Sequence, residues 1–131
     1  MIVVLDVSAA AEILLHRGDS ERVSRRVAEA EWVLVPSLYT SELCNVFWKY
    51  HHFHSLPREA CERAIMQGLA LPDTVVDDHD LHREAFAMAC LCRRPVYDMF
   101  YLVLARRQSA RLLTMDNELR ALAVKHDVVA E

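Results

Sequence analysis

The sequence predicts an α/β fold: a three-layer α/β/α sandwich around a central, mainly parallel sheet of four to five strands. Three observations predict it. Short apolar runs, IVVL at residues 2–5 and RLLT at 111–114, read as strands buried on both faces. Longer segments between such runs place apolar residues at helical spacing. Strands and helices alternate along the chain, which argues for parallel strands joined by helical crossovers. With only 2 Gly and 4 Pro in 131 residues, and no repeat or low-complexity stretch, residues 1–131 read as one domain. A chain of this size that is 53% hydrophobic can bury a core without disulfides or a structural metal.

The elements follow in order. Residues 2–5 form the first strand, with Asp6 at its carboxyl end. Ser8 is placed as the N-cap of a helix reaching Leu15. Gly18 and Asp19 break the chain before a charged helix that ends near Ala30. Trp32 to Val35 is a second short strand closed by Pro36. A long helix then runs from about Ser37 to His52, where Leu43, Val46, Phe47 and Tyr50 share one apolar face. Pro57 starts the next helix, which ends near Gly68. Thr74 to Val76 is a short strand, and Asp78 or Asp80 caps a helix through about Arg93. After Pro95, a helix beginning near Tyr97 or Asp98 reaches Gln108. Arg111 to Thr114 is a strand, Asp116 caps a short helix to Lys125, and Val128 to Ala130 offers a last strand.

Composition removes several functions. No apolar run reaches the roughly 18 to 20 residues of a membrane span, and MIVVLDVS reads as a strand with no basic leader, so a cytoplasmic location is expected. The formal charge of −4 is a poor profile for a protein that grips nucleic acid by charge alone. Cys44, Cys61, Cys90 and Cys92 lack the spacing of a zinc site and read as reduced, mostly buried thiols. His51, His52 and His54 fall where a helix ends, and solvent or the helix terminus accounts for them better than a metal. Trp32, Trp48, Phe53 and Phe100 suit core or dimer packing, with base stacking the alternative.

Four acids stand out by position. Asp6 and Asp116 each follow a strand, while Glu42 and Asp98 lie in the first turns of helices. In a parallel sheet all four positions belong to the carboxyl edge, where ligands of such folds bind. Each has an ordinary reading: a turn for Asp6, an N-cap for Asp116, the positive helix end for Asp98, a solvated surface for Glu42. Asp98 is the least ordinary. It shares a face with Tyr101, Leu102 and Ala105, and a carboxylate on a core-like face needs a cation, a hydrogen-bond network or a proton. Carboxylates that converge either take up protons or hold a cation, and an all-oxygen set suits Mg²⁺ or Mn²⁺. Such an ion activates water and polarises phosphoryl oxygens, which is the chemistry of phosphodiester hydrolysis.

The same segments carry a resemblance. LDVSAAAEIL with Asp6 and Ser8, VPSLYTSELCNVFWKY with Glu42 and Asn45, PVYDMFYLVLARR with Asp98, and RLLTMDNELRALA with Thr114 and Asp116 resemble the four motifs of PIN domains. They stand in that family's order and spacing over nearly the whole chain, and the length is typical of its VapC-type toxins. The resemblance implies a ribonuclease in which Asp6, Glu42, Asp98 and Asp116 hold one or two divalent cations. It also implies a homodimer and a cognate VapB-type antitoxin that covers the acidic pocket. Ser8, Asn45 and Thr114 match polar positions that orient carboxylates or metal-bound water, with capping for Ser8 and a strand-end hydrogen bond for Thr114 as the alternatives. Setting the four acids aside leaves 15 acidic against 15 basic side chains, so RNA contact would rest on a few cations. Lys49, Arg17, Arg93 and Arg94 are the candidates, each otherwise an ordinary solvated charge. Other readings are a PIN nuclease of RNA processing, a catalytically silent PIN protein, and an aspartyl phosphotransferase using Asp6. The last usually has a second acid two residues on, where this chain has Ser8.

Overall fold

The computed structural model describes all 131 residues. Strand β1 (Ile2–Leu5) lies between β2 (Trp32–Pro36) and β4 (Arg111–Leu113), and β3 (Thr74–Val76) pairs with the outer side of β2. Every pairing is parallel: Val3 sits opposite Val33 and Arg111, and Val35 opposite Val75. Val3, Val4 and Leu5 are buried, as a central parallel strand covered on both faces requires. The expected fifth strand is reduced to one parallel bridge between Leu112 and Ala130.

Helices α1 (Val7–Leu14), α2 (Ser20–Glu29), α3 (Leu38–His54) and α4 (Arg58–Ala70) pack on one another, and α5 (His82–Cys92) packs on α6 (Val96–Arg107). Helix α6 lies against β1, β2 and β4, and α7 (Asn117–Lys125) follows β4. In α6, Met99 and the run Tyr101 to Ala105 are all buried, so the helix is apolar on nearly every side and serves as the centre of its layer. Of the apolar face expected on α3, Leu43 and Phe47 are fully buried and Tyr39 extends it by one turn. The carboxyl edge of the sheet is tied together by backbone: Ser37 N–H donates to Val76 O at 2.8 Å, and Asp6 N–H to Leu113 O at 3.0 Å.

Several local expectations are corrected. Ser8 is not the N-cap of α1; the helix starts at Val7, Asp6 holds the cap position, and the Ser8 hydroxyl turns back to the Asp6 carboxylate. Neither Asp78 nor Asp80 caps α5. Both belong to a 3₁₀ turn (Asp78–Asp80) that Asp77 caps through His79 N–H, and α5 begins only at His82, after the buried Leu81. Only Cys61 of the four free cysteines is buried; Cys44 and Cys90 sit on helix faces turned from the core. Trp32, Trp48 and Phe53 are exposed. Trp48 stacks on His52 at 5.0 Å along α3, and Trp32 Nε1 donates to Thr74 Oγ1 at 2.9 Å. No helix is long and apolar enough to cross a membrane.

Candidate active site

Asp6 occupies the step from β1 into α1. Its carbonyl accepts Ala9 N–H at 3.0 Å and Ala10 N–H at 3.1 Å, which fixes the first turn of the helix and aims the side chain along the carboxyl edge. Its Oδ2 accepts two hydroxyls, Ser8 Oγ and Thr114 Oγ1, each at 2.6 Å. Those hydroxyls lie 3.2 Å apart and themselves accept backbone N–H groups of the loop after β4: Met115 N donates to Ser8 Oγ at 2.9 Å and Asp116 N to Thr114 Oγ1 at 3.1 Å. The network therefore joins two neighbouring strand ends. Burial pushes the Asp6 carboxyl above its ordinary pKa, the two hydroxyls pull it back, and the charge of Asp98 adds to the rise.

Glu42, in the first turns of α3, accepts the Tyr101 hydroxyl on Oε1 at 2.7 Å. Burial pushes its pKa up to about 7, against the lowering effect of the Tyr101 hydrogen bond, and the charges of Asp6, Asp98 and Asp78 push the same way. Burial, and then the negative charge of Glu42, raise the Tyr101 phenol far above its ordinary value, so it stays a donor. Asp116 is the N-cap of α7, with Oδ1 accepting Glu118 N–H at 2.9 Å and Leu119 N–H at 3.1 Å. The cation that Asp98 required is Arg94, whose Nη2 lies 3.0 Å from Asp98 Oδ2 and 3.9 Å from Asp116 Oδ2.

The four acids thus share one edge, with Asp98 acting on Asp6, both acting on Glu42, and Arg94 linking Asp98 to Asp116, but they are not drawn into a ready cage. No three His, Cys, Asp or Glu side chains stand close enough together to ligate an ion as arranged. The donor set still fits a hard divalent cation: it is all carboxylate oxygen, with no thiol or imidazole among the contacts described. A guanidinium already in place between two of the acids shows that the pocket accepts positive charge.

Of the polar residues, Ser8 and Thr114 are part of the network, whereas Asn45 is exposed and makes no protein hydrogen bond. Lys49 and Arg93 are exposed and unpaired, Arg93 closing α5 in the left-handed region at φ 54°. Arg17, beyond the far end of α1, lies 4.0 Å from Glu12 and over the ring of Tyr50 at 5.4 Å. Asp78 was missed. Its Oδ1 is buried without a hydrogen-bond partner, its N–H donates to Ser37 Oγ at 3.0 Å, and its charge reaches Glu42. An acid close behind β3 does not single it out, because Asp77, Asp78 and Asp80 crowd into four residues. The largest surface hollow, about 490 Å³, runs along α4 between Glu59, Arg63 and Met66, and none of the four acids lines it.

The chain matches the family model of the PIN domain over residues 3–125. It is similar to Ribonuclease VapC3 of Pyrobaculum aerophilum, 30% identical over 122 residues that cover 91% of this chain and 92% of that protein. Among solved structures, it resembles PAE2754 from Pyrobaculum aerophilum with a TM-score of 0.75 and 21% identity, covering 99% of this chain and 83% of that one. VapBC2 from Rickettsia felis, bound to a DNA fragment from their promoter, is similar with a TM-score of 0.68 and 14% identity, covering 100% and 98%.

Proposed function

We propose, from the premise that this chain belongs to the PIN-domain family, that it is a metal-dependent endoribonuclease and the toxin of a toxin–antitoxin pair. One observation carries the reading. Four acids from distant segments lie along one sheet edge, and Glu42 among them is raised to about 7 by burial and by the charges of Asp6, Asp98 and Asp78. The name of the relative VapC3 supports RNA as the substrate.

Asp6, Glu42, Asp98 and Asp116 would hold Mg²⁺ or Mn²⁺. When bound, the ion lowers the pKa of a water and stabilises charge on the phosphoryl group. The chain's own residues prepare for this. Ser8 and Thr114 fix Asp6 Oδ2, leaving rotation about that carboxylate restricted. Tyr101 keeps its proton and holds Glu42 Oε1, so the second oxygen of Glu42 has no protein hydrogen bond to give up. Asn45, three residues after Glu42 and unpaired, is available to water or to RNA. Lys49 and Arg93, exposed and without an acidic partner, are the phosphate contacts best placed to act; Arg17 and Arg94 are already engaged with acids. A cognate antitoxin of the VapB type, a homodimer and a cytoplasmic setting complete the proposal. The VapBC2 likeness supports the antitoxin, and the exposed Phe86, Leu91 and Tyr97 supply apolar surface for a partner.

The test is cleavage of a mixed cellular RNA pool by purified, antitoxin-free protein, with Mg²⁺, Mn²⁺ and chelator side by side. Discrete fragments that need the metal and disappear with Asp6→Asn are expected, since Asn retains an oxygen for both hydroxyls but loses the charge. Intact RNA in every lane, from folded protein, would leave two readings, a very narrow RNA target missing from the pool or a PIN fold used for binding.

A further inference from the structure

The geometry points to Arg94 as a resident cation that competes with divalent metal for the Asp98–Asp116 end of the pocket. This rests on the metal-dependent reading above and adds to it a threshold for metal loading that the chain itself sets.

Arg94 stands in the connector between α5 and α6. Arg93 before it is left-handed, Pro95 after it occupies the cap position of α6, and Arg94 N–H donates to Ala89 O at 3.2 Å. The backbone is therefore held from both sides while the side chain reaches over the site. Nη2 sits 3.0 Å from Asp98 Oδ2 and 3.9 Å from Asp116 Oδ2, and Nη1 sits 3.2 Å from Glu118 Oε2. One guanidinium is thus spread over three carboxylates. It does not form the two-pronged pair with any one of them that best satisfies Arg.

The arrangement leaves a defect. Arg94 is 21% exposed, and its Nε is buried with no hydrogen-bond partner. What holds it is charge: although burial disfavours its cation, the hydrogen bond and charge of Asp98, with Asp116 and Glu118, raise its pKa above the ordinary value.

A metal ion held by Asp98 and Asp116 would sit beside the guanidinium that contacts both, and two cations repel at such separations. Metal entry and Arg94 departure are therefore coupled, and each opposes the other by the same free energy. The structure also contains the place to which Arg94 can retire. Glu118 is 84% exposed and already holds Nη1, so the guanidinium can turn outward on that contact without leaving the rim.

The experiment is direct titration of Mn²⁺ into chelator-washed full-length chain, by calorimetry and by electron paramagnetic resonance, for the parent, R94Q and R94K. Thermal melts confirm that each is folded. R94Q is expected to bind Mn²⁺ at least about fivefold more tightly, because a positive charge has left the pocket. R94K, which keeps the charge but cannot span the three acids, is expected to fall between the two. Unchanged or weaker Mn²⁺ affinity in both variants, with the parent binding normally, would overturn the inference and leave the nuclease reading standing. No Mn²⁺ binding by any of the three would overturn the metal site itself, and the competition with it.

Discussion

Thr114 shows how much a single hydroxyl can carry. The residue has no solvent exposure, and its oxygen donates to Asp6 while accepting from Asp116 N–H. Valine has the same shape without the hydroxyl, so Thr114→Val leaves a buried carboxylate short of a donor and a backbone N–H short of an acceptor. A loss of about 1–3 kcal/mol is expected in urea denaturation, with Thr114→Ser recovering most of it. The sequence offered a catalytic-support role and a strand-end hydrogen bond for Thr114 as alternatives; its hydroxyl bonds Asp6 and the loop that follows β4. Ser8 was less legible. A serine three residues past a strand looks like an N-cap, yet the β1–α1 step is so tight that Asp6 takes the cap position and Ser8 falls inside the helix. Asp78 was not legible at all, since three acids in four residues give no sign of which one faces inward.

Among the elements, the strands and most helix starts could be read because apolar runs and prolines mark them. Pro57 and Pro95 each stand immediately before a helix, in the cap position. The 3₁₀ turn before α5 could not be read, because its placement depends on burying Leu81, a tertiary effect invisible to local pattern. The contact of α4 with α1 and α3 is another such effect. A Cβ added at Gly68 would fall 2.6 Å from Leu43 Cδ2 and 2.9 Å from Leu14 Cδ1, and the Gly68 carbonyl accepts the Tyr39 hydroxyl at 2.7 Å. Glycine looked like a helix end, but it is there to let three helices close. Gly68→Val is expected to cost about 2 kcal/mol or more through overpacking, measured as a lower urea midpoint, even though a helix interior ordinarily disfavours glycine.

For the whole molecule, the gathered acids impose a pH dependence. A glutamate in the unfolded chain loses its proton near 4.5, whereas Glu42 in the folded, metal-free protein keeps it to about 7. Between those values the folded state binds the extra proton, so the stabilising effect is complete below about 4.5 and is lost as pH rises through 7. Asp6, also raised, acts in the same direction. Water reaches the half-buried Glu42, so about 1–2 kcal/mol is expected for it. Urea midpoints between pH 5 and 8 in chelator should fall with rising pH, and Glu42→Gln should flatten that slope. Saturating Mn²⁺ should oppose it, because the metal requires the ionised carboxylates. That Asp6, Glu42, Asp98 and Asp116 lie along the carboxyl edge was legible from the parallel topology alone. The placement of Arg94 among them was not, because nothing in its local sequence distinguishes it from Arg93.

The hydrogen bond between Thr114 and Asp6 closes a span of 108 residues. During translation, Asp6 leaves the ribosome first and has no complete pocket until β4 and the loop beyond it have followed. A nascent chain without β4 therefore holds Asp6, Glu42 and Asp98 but lacks Asp116 and the Thr114 hydroxyl. An RNA-cutting activity of this design spares the machine that makes it until β4 and the loop beyond it have emerged.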